Sequence, residues 1–574
     1  MKQRRTTVAP VLVLTAGLLL GGWFLQQGVG QEQSLYFQSR VFQEVIDHVS
    51  ERYVDPVDRE ELYQDAIQGV LEELGDPNTS FLDMQDWENF RIRTEGEYGG
   101  VGLEIVDREG WVTVVSPIPG TPGARAGIRA GDRFVEIAGE SAEGWTSDQA
   151  VEVLRGRPGT DVEIKMGRPG VEEPIPFTIR REVIQLKSVP FATMLEENIG
   201  YVPLRIFSET AEAEIRTAVQ GLREEGMEGL ILDLRGNLGG LLEQGVALAD
   251  LFLPPGRSVV ETRGRSPEQN GVLRTSGAEA YPDLPVVVII DESSASASEI
   301  VAGALQDHDR ALVVGATSFG KGSVQTLFRL TGGSVLRLTT ARWYTPAGRS
   351  IQKPFDEQMS LGERGVLAVS GRLAERPDTT GKERVTSMGG RTLVAGGGIT
   401  PDFVVLPDTL TADEQQAVRR VYQQAGALYT AVFNYAVRYL QQNPDLQEDF
   451  IFPESELNGF YAALQAADIE VDRETFDEAS RHLRYLVEQE IALQGWGDSG
   501  QFLHAVPDDR VLQEALDLLR GVDSPEALFS RAGERIGPVQ GEEQDAASFM
   551  PREAPDPSGS PAPGRVTRRG RVAG

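Results

Sequence analysis

The stretch from Pro285 to Gln306 leaves this chain few folding options. An apolar run, PVVVII at 285–290, is followed by SASASEI at 294–300 and then by the helix-like IVAGALQ at 300–306. The pattern predicts a strand, a tight turn of small residues and a helix. Such a turn lifts one hydroxyl clear of a sheet and aims the next amides at whatever that hydroxyl attacks. A second apolar strand, ALVVG at 311–315, leads to FGKG at 319–322, which sets one lysine between two glycines. A serine needs a base to become a nucleophile, and a neutral lysine can serve.

Four serines compete for the role: Ser293, Ser294, Ser296 and Ser298. There is no cysteine, and spacing alone does not choose among them. Ser298 and Glu299 fall in the first helical turn, where small polar and acidic residues suit the free N–H groups. Ser296 sits at the turn itself, which places the Ala297 amide to face a developing oxyanion. A serine-rich N-cap is the plain reading of this run taken alone. Lys321 has an ordinary pKa of about 10.4, so it must be desolvated to accept a proton. If the chain is extended from 321, then Lys321, Ser323 and Gln325 share a face, and Gln325 can hydrogen-bond the amine without adding charge. DLRGNLGG at 233–240 follows the apolar strand 229–232, and Gly239 and Gly240 are expected to open a helix with outward-pointing amides. The run is not G-x-G-x-x-G and no GxxxxGK[ST] occurs, which argues against nucleotide binding. Of His48, His308, His482 and His504, only His308 lies in the catalytic segment, in the polar loop QDHDR. Without HExxH, Cys or clustered histidines, metal catalysis and cofactors are not expected.

SASASEI followed by GKGSVQ, with DLRGNLGG upstream and GGGITPD downstream, resembles the carboxy-terminal processing (tail-specific) serine peptidases. The resemblance runs from about Phe37 to Pro407. It implies Ser296 as nucleophile, Lys321 as general base, Gln325 as the residue positioning the lysine, and the amides of Gly240 and Ala297 as oxyanion hole. DPNTSFLD at 76–83 is similar to a recurring DPHTSYLD-like segment of that family. Alone it would be only the polar turn of a helical hairpin.

The resemblance and the residue pattern together imply a multidomain α/β fold. Its parts are a catalytic core, which the resemblance alone implies to be crotonase/Clp-like, an inserted PDZ β-domain, an N-terminal helical segment and a helical C-terminal extension. MKQRR followed by an apolar run at 8–25 is expected to anchor residues 1–30 across a bacterial inner membrane once, with the bulk of the chain in the periplasm or outside the cell. A small-x-small site at Gly28–Gly30 would instead allow cleavage and secretion to the periplasm. Residues 31–95 form the helical segment. Residues 96–182 read as PDZ: YGGVGLEIV supplies a loop and strand, and the amides of Gly100, Val101, Gly102 and Leu103 are placed to capture a terminal carboxylate while the peptide adds as an edge strand. Leu103, Ile105, Ala150, Val153 and Leu154 are candidate pocket walls for an apolar terminal residue. The catalytic core is expected at 183–408 with a polar, flexible insertion at about 355–390, then amphipathic helices at 409–537 for docking or dimerisation, and a disordered tail at 538–574.

The expected partners are protein or peptide substrates with accessible C-termini, the membrane through the N-terminal helix, an adaptor, and a second copy of the chain. A net charge of −32 disfavours nucleic acid. The function that follows is a serine endopeptidase with a Ser/Lys dyad and a tail-capturing PDZ domain that gates it. An inactive PDZ scaffold and an acyl-CoA enzyme sharing the core are the rivals; intact Ser296, Lys321 and Gln325 oppose the first, and the PDZ module opposes the second.

Overall fold

The computed structural model describes residues 36–536, apart from 109, 169–170, 172, 360–364 and 376–377. Helices α1 (36–52) and α2 (Arg59–Glu72) form an N-terminal hairpin. The Asp58 carboxylate accepts the N–H groups of Glu60 and Glu61 and so satisfies the first turn of α2. DPNTSFLD then departs from a simple helical turn. Its Ser80–Leu82 stretch is a strand, β1, and Asp83 caps helix α3 (Met84–Glu95) by accepting the Asp86 N–H.

Strand β2 (Glu97–Gly100) leads into the PDZ-like module. The module comprises β3 (Leu103–Arg108), β4 (Trp111–Pro117), α4 (Pro122–Arg125), β5 (Arg133–Ile137), β6 (Glu140–Ser141), α5 (Ser147–Leu154), β7 (Asp161–Gly167) and β8 (Ile175–Arg180). Strand β9 (Glu182–Gln185) leads out and pairs antiparallel with β2, so the module hangs on a two-stranded stalk. Its sheet, ordered β3-β4-β5-β7-β8, closes on Val112, Val114, Phe134, Ile137 and Ile164. A capping box between Thr146 and Gln149 starts α5.

The catalytic segment begins with β10 (Thr193–Met194) and β11 (Ile199–Pro203) and continues through α6 (Ala211–Glu224), β12 (Gly229–Asp233), α7 (Leu242–Asp250), β13 (Ser258–Gly264) and β14 (Gly271–Arg274). Next come β15 (Val286–Ile290), α8 (Ala297–Asp307), β16 (Leu312–Gly315), β17 (Ser323–Arg329) and β18 (Val335–Tyr344). The insertion holds α9 (Phe355–Met359) and two small hairpins, β19 (Val366–Leu367) with β20 (Leu373–Ala374) and β21 (Arg384–Thr386) with β22 (Thr392–Val394); β23 (Phe403–Val404) follows. One sheet runs β10-β11-β12-β15-β16-β23, parallel except for β10. Its strands are continuous apolar runs because both faces are covered. Val202, Leu232, Val288 and Val313 pack with α6, α7 and α8 on one side, and Tyr201, Ile231, Val287, Ile289 and Val314 point to the other. A second sheet, β1-β18-β13-β14 with β17 on β18, carries the N-terminal strand β1 into the catalytic segment.

The remaining helices are α10 (Ala412–Val421), α11 (Ala425–Gln442), α12 (Glu454–Ala466), α13 (Arg473–Glu478), α14 (Ser480–Ala505), α15 (Arg510–Leu519) and α16 (Pro525–Ile536). Helices α10–α14 close on their own core of Val421, Leu428, Phe452, Phe460, Leu483 and Ile491. By contrast, α15 and α16 lie on the second face of the parallel sheet, where Val511, Leu512, Leu516, Leu519 and Leu528 meet its side chains. The sheet thus has helices on both sides, one layer drawn from residues more than a hundred positions downstream.

The expected membrane crossing needs correction. Among the described residues no helix is long and apolar enough to span a membrane. The longest, α14, carries Arg481, Arg484, Glu488, Glu490 and Asp498 along its length. The apolar run at 8–25 lies outside the described residues, as do 537–574. The transmembrane, membrane-partner and single-pass inner-membrane expectations are therefore withdrawn.

Candidate active site

Ser296 stands between β15 and α8 with φ +56° and ψ −113°, a backbone conformation that a residue with a Cβ adopts only when its surroundings enforce it. The enforcing contacts are visible. Ala295 N–H donates to Asn237 O at 3.0 Å, and Ser294 N–H to Asp291 O at 3.0 Å. They also separate the four serines. Ser294 and Ser298 are buried, their hydroxyls donating to Leu234 O at 2.8 Å and Asn237 O at 3.0 Å. Ser293 is exposed, whereas Ser296 is half-buried and its hydroxyl donates to no acceptor among the described residues. Only Ser296 combines a strained turn, partial access and an unspent hydroxyl proton.

One carboxylate ties this turn to the lysine loop. Glu299, in the first turn of α8 and fully buried, accepts Ser296 N–H at 2.8 Å and Lys321 N–H at 2.9 Å on Oε2. On Oε1 it accepts Gly320 N–H at 2.7 Å and the Ser318 hydroxyl at 2.6 Å. Burial pushes the Glu299 carboxyl up, and these hydrogen bonds pull only part of the way back. The Lys321 amine sits below its ordinary value. Burial is the main cause and Arg337 adds to it, while Glu299 and Asp76 oppose. That direction favours the neutral amine a base requires. A second half-buried lysine, Lys353, is also lowered by burial, but its amine donates to Ser318 O at 3.0 Å.

Gln325 shares a face with Ser323, as strand alternation predicts, and its Nε2 donates to Ser323 Oγ at 2.9 Å and Thr339 Oγ1 at 3.4 Å. The amide nitrogen is therefore turned to these hydroxyls and makes no bond to the lysine amine. Gly239 and Gly240 do not open α7; they precede it at φ +96° and +149°. A Cβ on Gly239 would lie 2.7 Å from Ser296 Cβ and 3.0 Å from Ala297 N, so this loop presses directly on the serine turn. Among the described residues the N–H groups of Gly240 and Ala297 have no recorded acceptor, whereas Gly239 N–H binds Asn237 Oδ1 at 2.8 Å and Leu241 N–H binds Phe207 O at 2.8 Å. Two free amides beside one unspent hydroxyl are the parts that acyl transfer needs.

Arg235 pairs with Asp233 at 2.6 Å and with Asp509, just ahead of α15, at 2.7 Å. Burial pushes Asp233 up, but Arg235 outweighs it and holds the carboxyl below the usual range. Tyr201 donates to Asp233 and stacks on Phe502 with centroids 3.9 Å apart. A cavity of about 1270 Å³ opens here, lined by Tyr201, Arg235, Glu292, Arg372, Phe502 and Asp509, without Ser296 or Lys321 in its wall. Glu292, whose carboxylate accepts the Glu375 N–H of the insertion at 2.8 Å, is raised by burial to about 7. His308 lies at the far end of α8, its Nε2 2.7 Å from Ser258 O. His482 is bound between Val369 O and Tyr422, and His504 stacks on Phe450. His48 is exposed on α1.

In the PDZ-like module, Gly102 has φ +74°, and a Cβ there would fall 2.3 Å from Thr121 Cβ, so only glycine fits. Val101 O accepts Gly123 N–H and Gly102 O accepts the Thr121 hydroxyl, which fixes the loop Gly100–Leu103 from behind. Ala150 and Leu154 are buried, while Leu103, Ile105 and Val153 are half-buried against the same core. Sequence reasoning placed Glu299 in the first turn without seeing its reach to Lys321. Its spacing of three from Ser296 is the capping-box signature that could have marked it.

The fold and site define a multidomain α/β protein with an inserted PDZ module and helical extensions, carrying a serine-centred acyl-transfer site. Family models match here: Peptidase family S41 over residues 198–359, PDZ domain over 113–168, and the Activating protease CtpB N-terminal domain over 26–86. The Carboxy-terminal-processing protease of Bartonella bacilliformis is 39% identical over 355 residues, covering 60% of this chain and 80% of that one. The Carboxyl-terminal-processing protease of Synechocystis is 36% identical, covering 60% and 83%. Carboxy-terminal processing protease CtpA of Bacillus subtilis is 34% identical, covering 54% and 65%. Among solved structures, the photosystem II D1 C-terminal processing protease is 32% identical with a TM-score of 0.32, covering 54% of this chain and 83% of that one. The chain belongs to the S41 family of carboxy-terminal processing serine peptidases.

Proposed function

We propose that this peptidase cleaves proteins at or near their C-termini with Ser296 as nucleophile and Lys321 as base. The observation that carries the assignment is the Glu299 carboxylate, whose single Oε2 holds the amides of both residues at 2.8 and 2.9 Å. Ser296 Oγ attacks the scissile carbonyl carbon as its proton passes to the neutral Lys321 amine. The amides of Gly240 and Ala297 receive the oxyanion. Collapse breaks the C–N bond, and the lysine returns the proton to the leaving amine. Water then attacks the acyl-enzyme, again giving a proton to Lys321, and the new C-terminus departs as Ser296 regains its hydrogen. Gln325 orients the amine without charging its surroundings.

In this reading the Gly100–Leu103 amides bind the substrate's terminal carboxylate, with Leu103, Ile105, Ala150, Val153 and Leu154 around an apolar last side chain. The module spans 96–182 between the helical segment 31–95 and a crotonase/Clp-like core at 183–408. The helical extension is divided, 409–509 being a bundle and 510–536 a layer of the core. The packing of α15 on the parallel sheet supports that division.

The test is Lys321→Arg, which keeps a cation but cannot deprotonate near neutral pH. Turnover of a peptide substrate should be abolished, as in Ser296→Ala, while a fluorophosphonate should label the wild type and not Ser296→Ala. Near-normal turnover in Lys321→Arg overturns the assignment.

A further inference from the structure

Asp76 lies in the turn ahead of β1, far in sequence from the catalytic segment, yet its hydrogen bonds lead there. Its Oδ1 accepts Asn78 N–H at 3.0 Å and its Oδ2 the Thr79 hydroxyl at 2.8 Å. Thr79 Oγ1, itself buried, accepts the backbone N–H of Thr339 on β18 at 3.2 Å. Thr339 Oγ1 accepts Gln325 Nε2 at 3.4 Å. The β1–β18 register, Ser80 opposite Arg337, holds the two ends together. A bulge in the β17–β18 pairing sets Thr339, rather than Thr340, opposite Gln325, while Thr340 pairs its hydroxyl with Thr326.

We propose that Asp76, through Thr79 and Thr339, is a positioning relay that fixes the Gln325 carboxamide so that its Oε1 is presented to the Lys321 amine. The inference rests on the Ser296–Lys321 reading above. Both recorded bonds of Nε2, to Ser323 and Thr339, lie on one side of the carboxamide, which leaves Oε1 as the free acceptor. A neutral amine that must point its lone pair at a serine needs an acceptor for its own N–H, and an uncharged one does not favour protonation. Without Thr339 only the Ser323 hydroxyl holds the carboxamide, and because a hydroxyl can donate to Oε1 as readily as it accepts from Nε2, the group can flip and present a donor instead.

The charge of Asp76 has a second effect. The charged groups around the Lys321 amine are Arg337 on β18, Glu299 on α8 and Asp76. Burial and Arg337 push the amine down, and Glu299 and Asp76 push it up. Burial pushes Asp76 up too, but hydrogen bonds from Thr339, Thr79 and Asn78 prevail, so it is an anion at neutral pH. Removing that anion must shift the lysine's titration to lower pH.

The experiment measures kcat and KM against pH for the full chain and for Asp76→Asn, Asp76→Glu and Thr339→Val. Asp76→Asn should lower the plateau kcat by about tenfold or more, the scale of a small misplacement of a catalytic group. It should leave KM within about twofold, as for an interaction made in the transition state only. The rising limb should move to lower pH by about one unit or less. Thr339→Val removes one hydrogen bond from Asp76 but leaves those of Thr79 and Asn78, so the carboxylate stays ionised at neutral pH while the link to Gln325 is broken, and the plateau should fall with the limb nearly in place. Asp76→Glu should recover part of the plateau and the whole of the limb position. A structural role alone would lower the unfolding midpoint and leave the plateau kcat of the folded enzyme at the wild-type value, since the limb shift follows from the lost charge in either case. Wild-type plateaus in both Asp76→Asn and Thr339→Val, or losses confined to KM, overturn the relay. If Asp76→Asn does not fold, Thr339→Val decides by its plateau. A fully active Lys321→Ala would mean that the underlying dyad reading had failed. An inactive Lys321→Ala with plateaus unchanged in the relay variants would refute the relay alone.

Discussion

Replacing Glu299 tests the coupling of the serine turn to the lysine loop, and the structure grades the outcome. The carboxylate is fully buried and accepts four donors, the amides of Ser296, Gly320 and Lys321 and the Ser318 hydroxyl. In Glu299→Gln one oxygen becomes an NH2 group. Turned towards Ser296 and Lys321, that group would face two amides that cannot rotate. Turned towards Ser318 and Gly320, it faces one amide and one hydroxyl, and the hydroxyl can turn to accept. The second orientation wins and keeps both catalytic amides on the carbonyl oxygen. The loss is then the bond to Gly320 N–H and the acceptor of the buried Ser318 proton, whose oxygen also accepts Ile399 N–H at 2.6 Å, about 1–3 kcal/mol for each buried group left unsatisfied. Glu299→Ala frees all four donors. The stability lost should be several-fold larger, and Ser296 and Lys321 are no longer held in register, which costs about a hundredfold in rate for a displacement near 1 Å. The assay is kcat/KM on a peptide with thermal unfolding of the same samples, and the expected order is wild type, then Glu299→Gln, then Glu299→Ala. Because Glu299 raises the lysine's pKa, the rising limb of the Glu299→Gln profile should also move to lower pH. A Glu299→Ala enzyme within about twofold of wild-type kcat/KM would show that the serine turn holds itself.

Two further outcomes follow from charge and from the PDZ loop. The Glu292 carboxyl, raised from 4.5 to about 7 by burial, favours the folded state when protonated. Its contribution is complete below the unfolded pKa and is lost as pH rises through about 7, up to roughly 3 kcal/mol. Glu292→Gln should therefore flatten the fall of the unfolding midpoint between those pH values, and an unchanged slope would refute the burial argument. If the Gly100–Leu103 amides hold a terminal carboxylate, amidating a substrate's C-terminus should weaken its binding to the full chain in a direct titration. Equal binding of free and amidated tails would falsify that role.

What the residues disclosed, and what they withheld, follows physical lines. The unit from Pro285 to Gln306 was legible because a short β-branched run, a turn of small residues and a helix each have a local signature. Which serine acts was not, since all four sit within six residues. The choice lies in where each hydroxyl proton goes, and those acceptors, Leu234 and Asn237, are about sixty positions away. Gly239 and Gly240 read as the start of α7 because glycine after a strand suits a helix N-terminus. Their positive φ values and the pressure of Ser296 set them ahead of it. Strand β1 is three residues long, too short for a period, and exists through its pairing with β18. The apolar run at 8–25 is a sequence signal with no counterpart in the described residues.

The least legible feature is the second layer of the catalytic sheet. Helix α15 has the apolar stripe of any bundle helix, and nothing local says that it leaves the bundle of α10–α14 for a sheet some two hundred residues upstream. Its stripe, Val511, Leu512, Leu516 and Leu519 with Ala515, is buried against Ile231, Val287, Ile289, Leu312 and Val314. Burying four such aliphatic side chains is worth about 6–12 kcal/mol, comparable to the whole stability of a domain, roughly 5–15 kcal/mol. The Arg235–Asp509 pair and the Tyr201–Phe502 stack tie the same region to the loop that presses on Ser296. A chain ending at Asp509 keeps every proposed catalytic residue but exposes an apolar sheet face. It should be recovered mostly as aggregate, and any soluble fraction should have lost fluorophosphonate labelling at Ser296. Leu516→Asp in the full chain should do the same, with a single buried charge in place of the deletion. A soluble truncated enzyme with wild-type kcat/KM would mean that the parallel sheet is stable with one face bare, and that α15 belongs to the extension after all.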